Sequence, residues 1–226
     1  DNICAYEGKD DFVSIHRKKI LSSDIILFAG AMHDRLLSSK WQRYLDRSFN
    51  LTHQLTLEGK QVGFLISGPL SSNPNTREIL QGYTEVNRAT SAGFITDESE
   101  NDYIITSSIR NLCRKLIRRQ VENVRIPQSF LGVGGTKVFR DDLFSHLRFV
   151  FQADHKNYKK NGIYDFPQKA IKRRFISSMA TFITKLPPMR KIIRQQLREG
   201  MIRPYSKLLD NTTELKVESD SRKPLV

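Results

Sequence analysis

Two cysteines, Cys4 and Cys113, in 226 residues are too few for a disulfide framework and fit a reducing compartment. No apolar run approaches the roughly 20 residues that span a bilayer, and no signal-peptide pattern opens the chain. Together these absences lead to the expectation of a soluble, cytoplasmic protein, in which Asn50-Leu51-Thr52 and Asn211-Thr212-Thr213 are chance matches to the glycosylation triplet. Metal-ligand spacing is missing too: His146 and His155 stand nine apart, which does not put them on one face of a helix, so Asp141, Asp142 and Asp154 beside them suggest no metal site. No helix-turn-helix, zinc-finger or RNA-binding signature points to nucleic acid. Gly132-Val133-Gly134-Gly135 does not complete a dinucleotide fingerprint, follows no strand and reads as an irregular turn. There is no internal repeat.

The strongest positive signal is a pair of apolar runs, Asp24 to Gly30 and Lys60 to Ile66. Continuous rather than alternating apolar runs suit strands buried on both faces of a parallel sheet. A third strand is expected over Ala92 to Thr96. Such sheets bind ligands beyond the carboxyl ends of their strands, so the turns Ala31-Met32-His33 and Ser67-Gly68-Pro69-Leu70 are the first candidates for a site. Between the runs, Ser38 or Ser39 caps a helix with Trp41, Tyr44, Leu45 and Phe49 on one face. Asn73 and Pro74 start another, with Ile79, Leu80, Tyr83 and Val86 as its stripe. Ile105, Ile109, Leu112, Leu116, Val121 and Val124 stripe a third.

The order of these features resembles the flavodoxin-like NAD(P)H-dependent FMN reductases and their relatives, the iron-sulfur flavoproteins. The residues that carry it are Asp24-Ile25-Ile26-Leu27-Phe28, Ser38-Ser39, Leu45-Asp46-Arg47, Gly59-Lys60 and Ser67-Gly68, over about residues 4 to 120. The resemblance implies an α/β, doubly wound parallel sheet of strand order 2-1-3-4-5 of which only the last three strands are present, the first strand, its phosphate loop and the second strand lying upstream. It also implies FMN as cofactor, NAD(P)H as hydride donor, a quinone, flavin or other small acceptor, and a homo-oligomer. Backbone amides of Ala31, Met32 and His33, where the family commonly has Pro-x-Tyr, would face the isoalloxazine. So would the loop of Ser67, Gly68, Pro69 and Leu70, with Gly68 allowing close approach and Ser67, Ser71 and Ser72 donating. No catalytic residue is assigned. Cys4 stands where iron-sulfur relatives end a cysteine cluster, but one thiolate cannot hold a cluster that wants four.

Charge divides the chain. Residues 1–100 carry 11 Lys+Arg and 13 Asp+Glu, and the remaining 126 carry 26 and 11, so the whole excess of +13 arises late. A flavin domain is expected over residues 1–125, a basic helical region over 126–210 and a flexible tail over 211–226, with the boundary near Asn123 to Ser129 where Pro127 ends a helical pattern. Within the basic region the expectations are a helix from Asp141 through Phe151, a polar link from Asp154 to Pro167, and two helices separated by Pro187-Pro188. The first carries Ile171, Phe175, Met179, Phe182, Ile183 and Leu186 on one stripe, flanked by Lys172, Arg173, Arg174 and Lys185. That stripe needs a partner, either the chain's own flavin domain, a second subunit or an anionic membrane surface. The competing function is a non-catalytic scaffold that keeps the flavodoxin fold and binds through these helices. At the start of the chain, Asp10-Asp11 caps a helix whose His16-Arg17-Lys18-Lys19 lies near its negative end, and Asp46-Arg47 reads as a structural ion pair.

Overall fold

A computed structural model of the chain describes residues 4, 6–165, 169–193, 195–197, 199–200, 202–203 and 205–206. They divide between two compact units, one of Asp1–Phe144 with Phe151–Gln168 and one of Ser145–Val150 with Lys169–Val226. The 211–226 segment and part of 201–210 lie outside the described residues.

The first unit is α/β. Strand β1 (Ile25–His33) continues into a two-residue β2 (Leu36–Leu37). The order of the sheet, completed by β3 (Gln61–Ser67) and β4 (Thr90–Thr96), is β2-β1-β3-β4. β1, β3 and β4 are parallel: β1 and β3 are in register from Ile25 opposite Gln61 to Ala31 opposite Ser67, and β3 and β4 pair from Gln61 opposite Thr90 to Ile66 opposite Thr96 with a one-residue shift between Val62 and Gly63. In the central strand, Val62 and Phe64 are fully buried, as a continuous apolar run requires. β1 alternates instead: Ile26 and Phe28 are buried while Leu27 is 44% exposed. Among the described residues, no strand pairs with β1 along Ile25 to Ala31 on the side away from β3, so its run is covered on one flank only.

Helices α2 (Ser39–Ser48) and α3 (Pro74–Val86) pack on one face. Trp41, Leu80, Phe28, Phe64 and Ile66 share its core, and aromatic rings run from Trp41 to Phe28 (5.4 Å), Phe28 to Phe64 (5.7 Å) and Phe64 to Phe94 (4.8 Å). The other face is covered by α4 (Asp102–Val121), whose Leu112 and Leu116 pack with Ala92, Ile25, Leu65 and Ile95. Asn101 caps α4 by accepting from the amides of Tyr103 and Ile104, the expected cap chemistry.

Several expectations are corrected. The first helix is a short α1 (Phe12–Ile15) running into a π turn over His16–Ile20. His16 is not a cation at its end: it is buried, stacked on Phe12 at 5.5 Å, and burial, then the Arg17 charge, pushes its pKa down. Arg47 pairs not with Asp46 but with Asp10, at 2.6 and 2.9 Å, and lies over the Phe12 ring at 4.5 Å.

The glycine-rich stretch is not a turn but the first half of α5 (Phe130–Ser145). Glu85 of α3 explains it. Its carboxylate accepts from the Ser129 amide and hydroxyl (3.0 and 2.6 Å) and from the Gly132 amide (3.0 Å), satisfying orphan donors of the helix start. A Cβ on Gly132 would lie 2.6 Å from the Glu85 Cβ, so close approach, not backbone freedom, selects glycine here.

The polar link from Asp154 is in fact helix α6 (Gln152–Lys160). Its Tyr158 is 2% exposed and packs with Leu55, Leu143 and Ile163, and burial, then Asp154, pushes the phenol up to about 12. Residues 126–144 and 151–165 therefore belong with the α/β unit, because a few apolar side chains in a polar sequence, rather than net charge, decide where it packs.

In the second unit, α7 (Ile171–Ile183) is held through Ser177, whose hydroxyl donates to the His146 carbonyl at 3.4 Å, and through Ser178, which accepts from Arg148 at 2.8 Å. Pro187 and Pro188 open the next helical stretch, 187–193, rather than separating it from α7.

Candidate functional site

β1, β3 and β4 end together on one side of the sheet, and that is where the two candidate loops meet. Ala31, Met32 and His33 are not a turn: they are the last residues of β1, with Met32 opposite Leu37 and His33 opposite Leu36, and the reversal falls at Asp34, in the left-handed region at φ 59°, and Arg35. Antiparallel backbone pairing with Leu36-Leu37 extends the strand past Ala31. Ala31 and His33 are exposed and Met32 half-buried.

After β3 the chain turns at Gly68, whose φ is +114°, a conformation open to glycine and strained for other residues. A Cβ there would sit 3.0 Å from the Met32 Cβ, so the two loops are in contact. Leu70 points elsewhere: it is 3% exposed and belongs to the core with Phe64 and Ile66.

The donors of this loop are engaged by two carboxylates that follow β4. Asp97 accepts from the Ser67 hydroxyl (2.5 Å) and the Gly68 amide (2.7 Å). Glu98 accepts from the Ser71 hydroxyl, the Ser71 amide (3.2 Å) and the Thr96 hydroxyl (2.7 Å). The Ser67 hydroxyl, then the Gly68 amide, hold Asp97 below the usual carboxylate range, and Ser71, then Thr96, do the same for Glu98. Sequence reasoning missed both acids. The signal was available, because Thr96-Asp97-Glu98 follows the third parallel strand and so must reach the same crevice.

Two apolar cavities lie on opposite faces of the sheet near the end of β1, and both reach Ala29 and Gly30. One, of about 270 Å3, lies among Leu65, Ile95, Asp97, Ile105 and Ile109 on the α4 side. The other, of about 360 Å3, lies among Ile20, Phe28, Lys40, Trp41 and Tyr44 on the α2 side. Small-molecule sites typically enclose about 300–1,000 Å3, so the two cavities lie around the lower end of that range. Trp41 shapes the second: its Nε1 donates to the Ala29 carbonyl at 3.1 Å, and a Cβ on Gly30 would meet that nitrogen at 2.0 Å. Gly30 is thus required by the indole.

Chemically, the crevice offers an apolar surface of Leu65, Ile95, Ile105 and Ile109, carboxylate acceptors, and an amide and hydroxyls that donate to those carboxylates. His33 is an exposed ring at its margin. Among the described residues no group of three or more His, Cys, Asp or Glu is placed to hold a metal, and Cys4 and Cys113 are both free thiols. The fold is α/β with a mostly parallel sheet. In comparison with known proteins, the chain matches no family model and no curated protein.

Proposed function

We propose that this chain is a flavodoxin-like FMN-dependent NAD(P)H oxidoreductase, in which a nicotinamide delivers hydride to flavin and the reduced flavin passes electrons to a quinone, another flavin or a similar small acceptor. The observation that supports it most is the contact of Gly68 with Met32 at adjacent carboxyl ends of parallel strands, beside an apolar cavity of about 270 Å3. The Gly68 amide and Ser67 hydroxyl suit the acceptor edge of an isoalloxazine, and Asp97 suits its N3–H. Protein groups of this kind tune a flavin through hydrogen bonds and nearby charge. The acidic rim of Asp97 and Glu98 disfavours additional negative charge at the ring, so a flavin bound there is expected to have a lowered potential.

A second reading, a non-catalytic scaffold, is favoured by one observation: the donors of the loop are already satisfied by Asp97 and Glu98. Titrating FMN against the chain while following flavin fluorescence, with NAD(P)H oxidation measured alongside, separates the two. Saturable quenching that Gly68→Ala weakens at least tenfold supports the flavin reading. Unquenched flavin over the whole titration leaves the scaffold.

A further inference from the structure

Helix α7 is inside out. A surface helix normally buries its apolar stripe and exposes its polar side, whereas here Ser177 and Thr184, the residue that ends the helix, are 3% and 4% exposed, and Ile171, Phe175, Ile176, Met179 and Phe182 are between 54% and 74% exposed. The polar side is committed to the His146 carbonyl through Ser177, and the exposed Ser178, at the margin of the apolar arc, accepts from the Arg148 guanidinium. The apolar side faces solvent.

We propose that this face docks on an anionic lipid bilayer, with α7 lying in the interfacial plane and Phe175, Met179 and Phe182 inserted at the boundary between headgroups and acyl chains. Charge chooses lipid over a second copy. Residues 169–198 contain nine Lys and Arg and not one Asp or Glu, so two such surfaces brought face to face would set like charges together, which costs affinity. Anionic headgroups instead match the positive flank and the apolar stripe at once.

Lys172 makes the same choice independently. At about 100° per residue it falls inside the apolar arc, between Met179 and Ile183. In a protein–protein interface its ammonium would be stripped of water, whereas at a membrane its stem packs on the apolar surface and its charge snorkels to the headgroups. Docking is peripheral, since no described helix is long and apolar enough to cross a membrane.

The test is co-sedimentation of the whole chain with vesicles of phosphatidylcholine alone and of phosphatidylcholine with phosphatidylserine. Binding is expected only to the second, weakening steeply as salt rises, since screening acts over about 8 Å at physiological ionic strength. Phe175→Ser with Phe182→Ser should reduce partitioning by at least tenfold. Lys172→Gln, Arg173→Gln and Lys185→Gln should each reduce it about fivefold, the equivalent of about 1 kcal/mol per charge. All five side chains are exposed, so far-UV circular dichroism should stay unchanged. Equal binding to neutral vesicles, no binding at all, or a dimer in sedimentation equilibrium that Phe175→Ser with Phe182→Ser dissolves would each overturn the proposal.

Discussion

Helices α4 and α7 are written in the same alphabet, apolar residues at three-to-four spacing among Lys and Arg, and they do opposite things. α4 turns Leu112 and Leu116 onto the sheet and leaves Arg110, Arg114 and Arg118 in solvent. α7 keeps Ser177 and Thr184 inside and leaves Phe175 and Phe182 outside. Periodicity announces that a face wants burial, but it does not say what buries it. A parallel sheet supplies that surface to α4. Among the described residues nothing covers the stripe of α7.

Truncating one apolar residue in each helix should give the largest difference between them. Leu116→Ala should destabilise the α/β unit by about 2–5 kcal/mol, because it removes transfer energy and leaves a cavity, while Phe182→Ser should change stability by less than about 0.5 kcal/mol as an exposed substitution. Urea unfolding of both variants checks this. A comparable loss in Phe182→Ser would show that the face is covered and would break the comparison.

A second prediction sets propensity against packing in α5. Gly→Ala inside a helix should stabilise by about 1 kcal/mol from propensity alone, yet at Gly132 the new Cβ would meet Glu85 at 2.6 Å, and overpacking costs about 1–3 kcal/mol. The expected net result is a lower midpoint in thermal or urea unfolding. Gly134→Ala, whose nearest neighbours are Phe130 ring atoms at 3.8 Å, should raise it.

Acid sensitivity follows from two buried groups, in different windows. His16 has a lowered folded pKa, so the unfolded chain takes up its proton first: its contribution is complete above the unfolded value near 6.5 and is lost as pH falls from there toward the folded value. Burial alone would raise Glu85, but Ser129, Gln81 and the amides of Gly132 and Ser129 outweigh it and leave it lowered. Its contribution is complete above about 4.3 and lost as pH falls through the folded value. Unfolding midpoints from pH 8 to pH 3 in His16→Phe and Glu85→Gln should flatten the upper and lower windows respectively.

The elements that were legible in the sequence are those where one pattern had one solution. The strands at Ile25 and Gln61 and the helices starting at Ser39 and Pro74 fall where apolar runs, helical stripes and the first-turn proline put them, although neither Ser38 nor Asn73 makes a side-chain cap hydrogen bond. The third strand starts two residues early, at Thr90, and the third stripe lies on the helix that Asn101 caps. The misreadings share a cause in distant partners. Gly132 looked like a turn because nothing local reveals that Glu85 caps the helix, and the segment around Tyr158 looked like a link because Leu55 and Leu143 are far from it in sequence. The candidate crevice was legible from strand order alone. Its acidic rim follows from the same strand order, which carries Asp97 and Glu98 past the end of β4 to the donors of the Gly68 loop.

The most direct test of the flavin reading is amide hydrogen exchange of the chain with and without FMN. The outcome expected from flavin binding is added protection at Ala31 through His33, Ser67 through Ser72 and the turn of Asp97 and Glu98, as the flavin replaces solvent at the carboxyl ends of β1, β3 and β4. Unchanged exchange there, or protection appearing only at another surface, would contradict it.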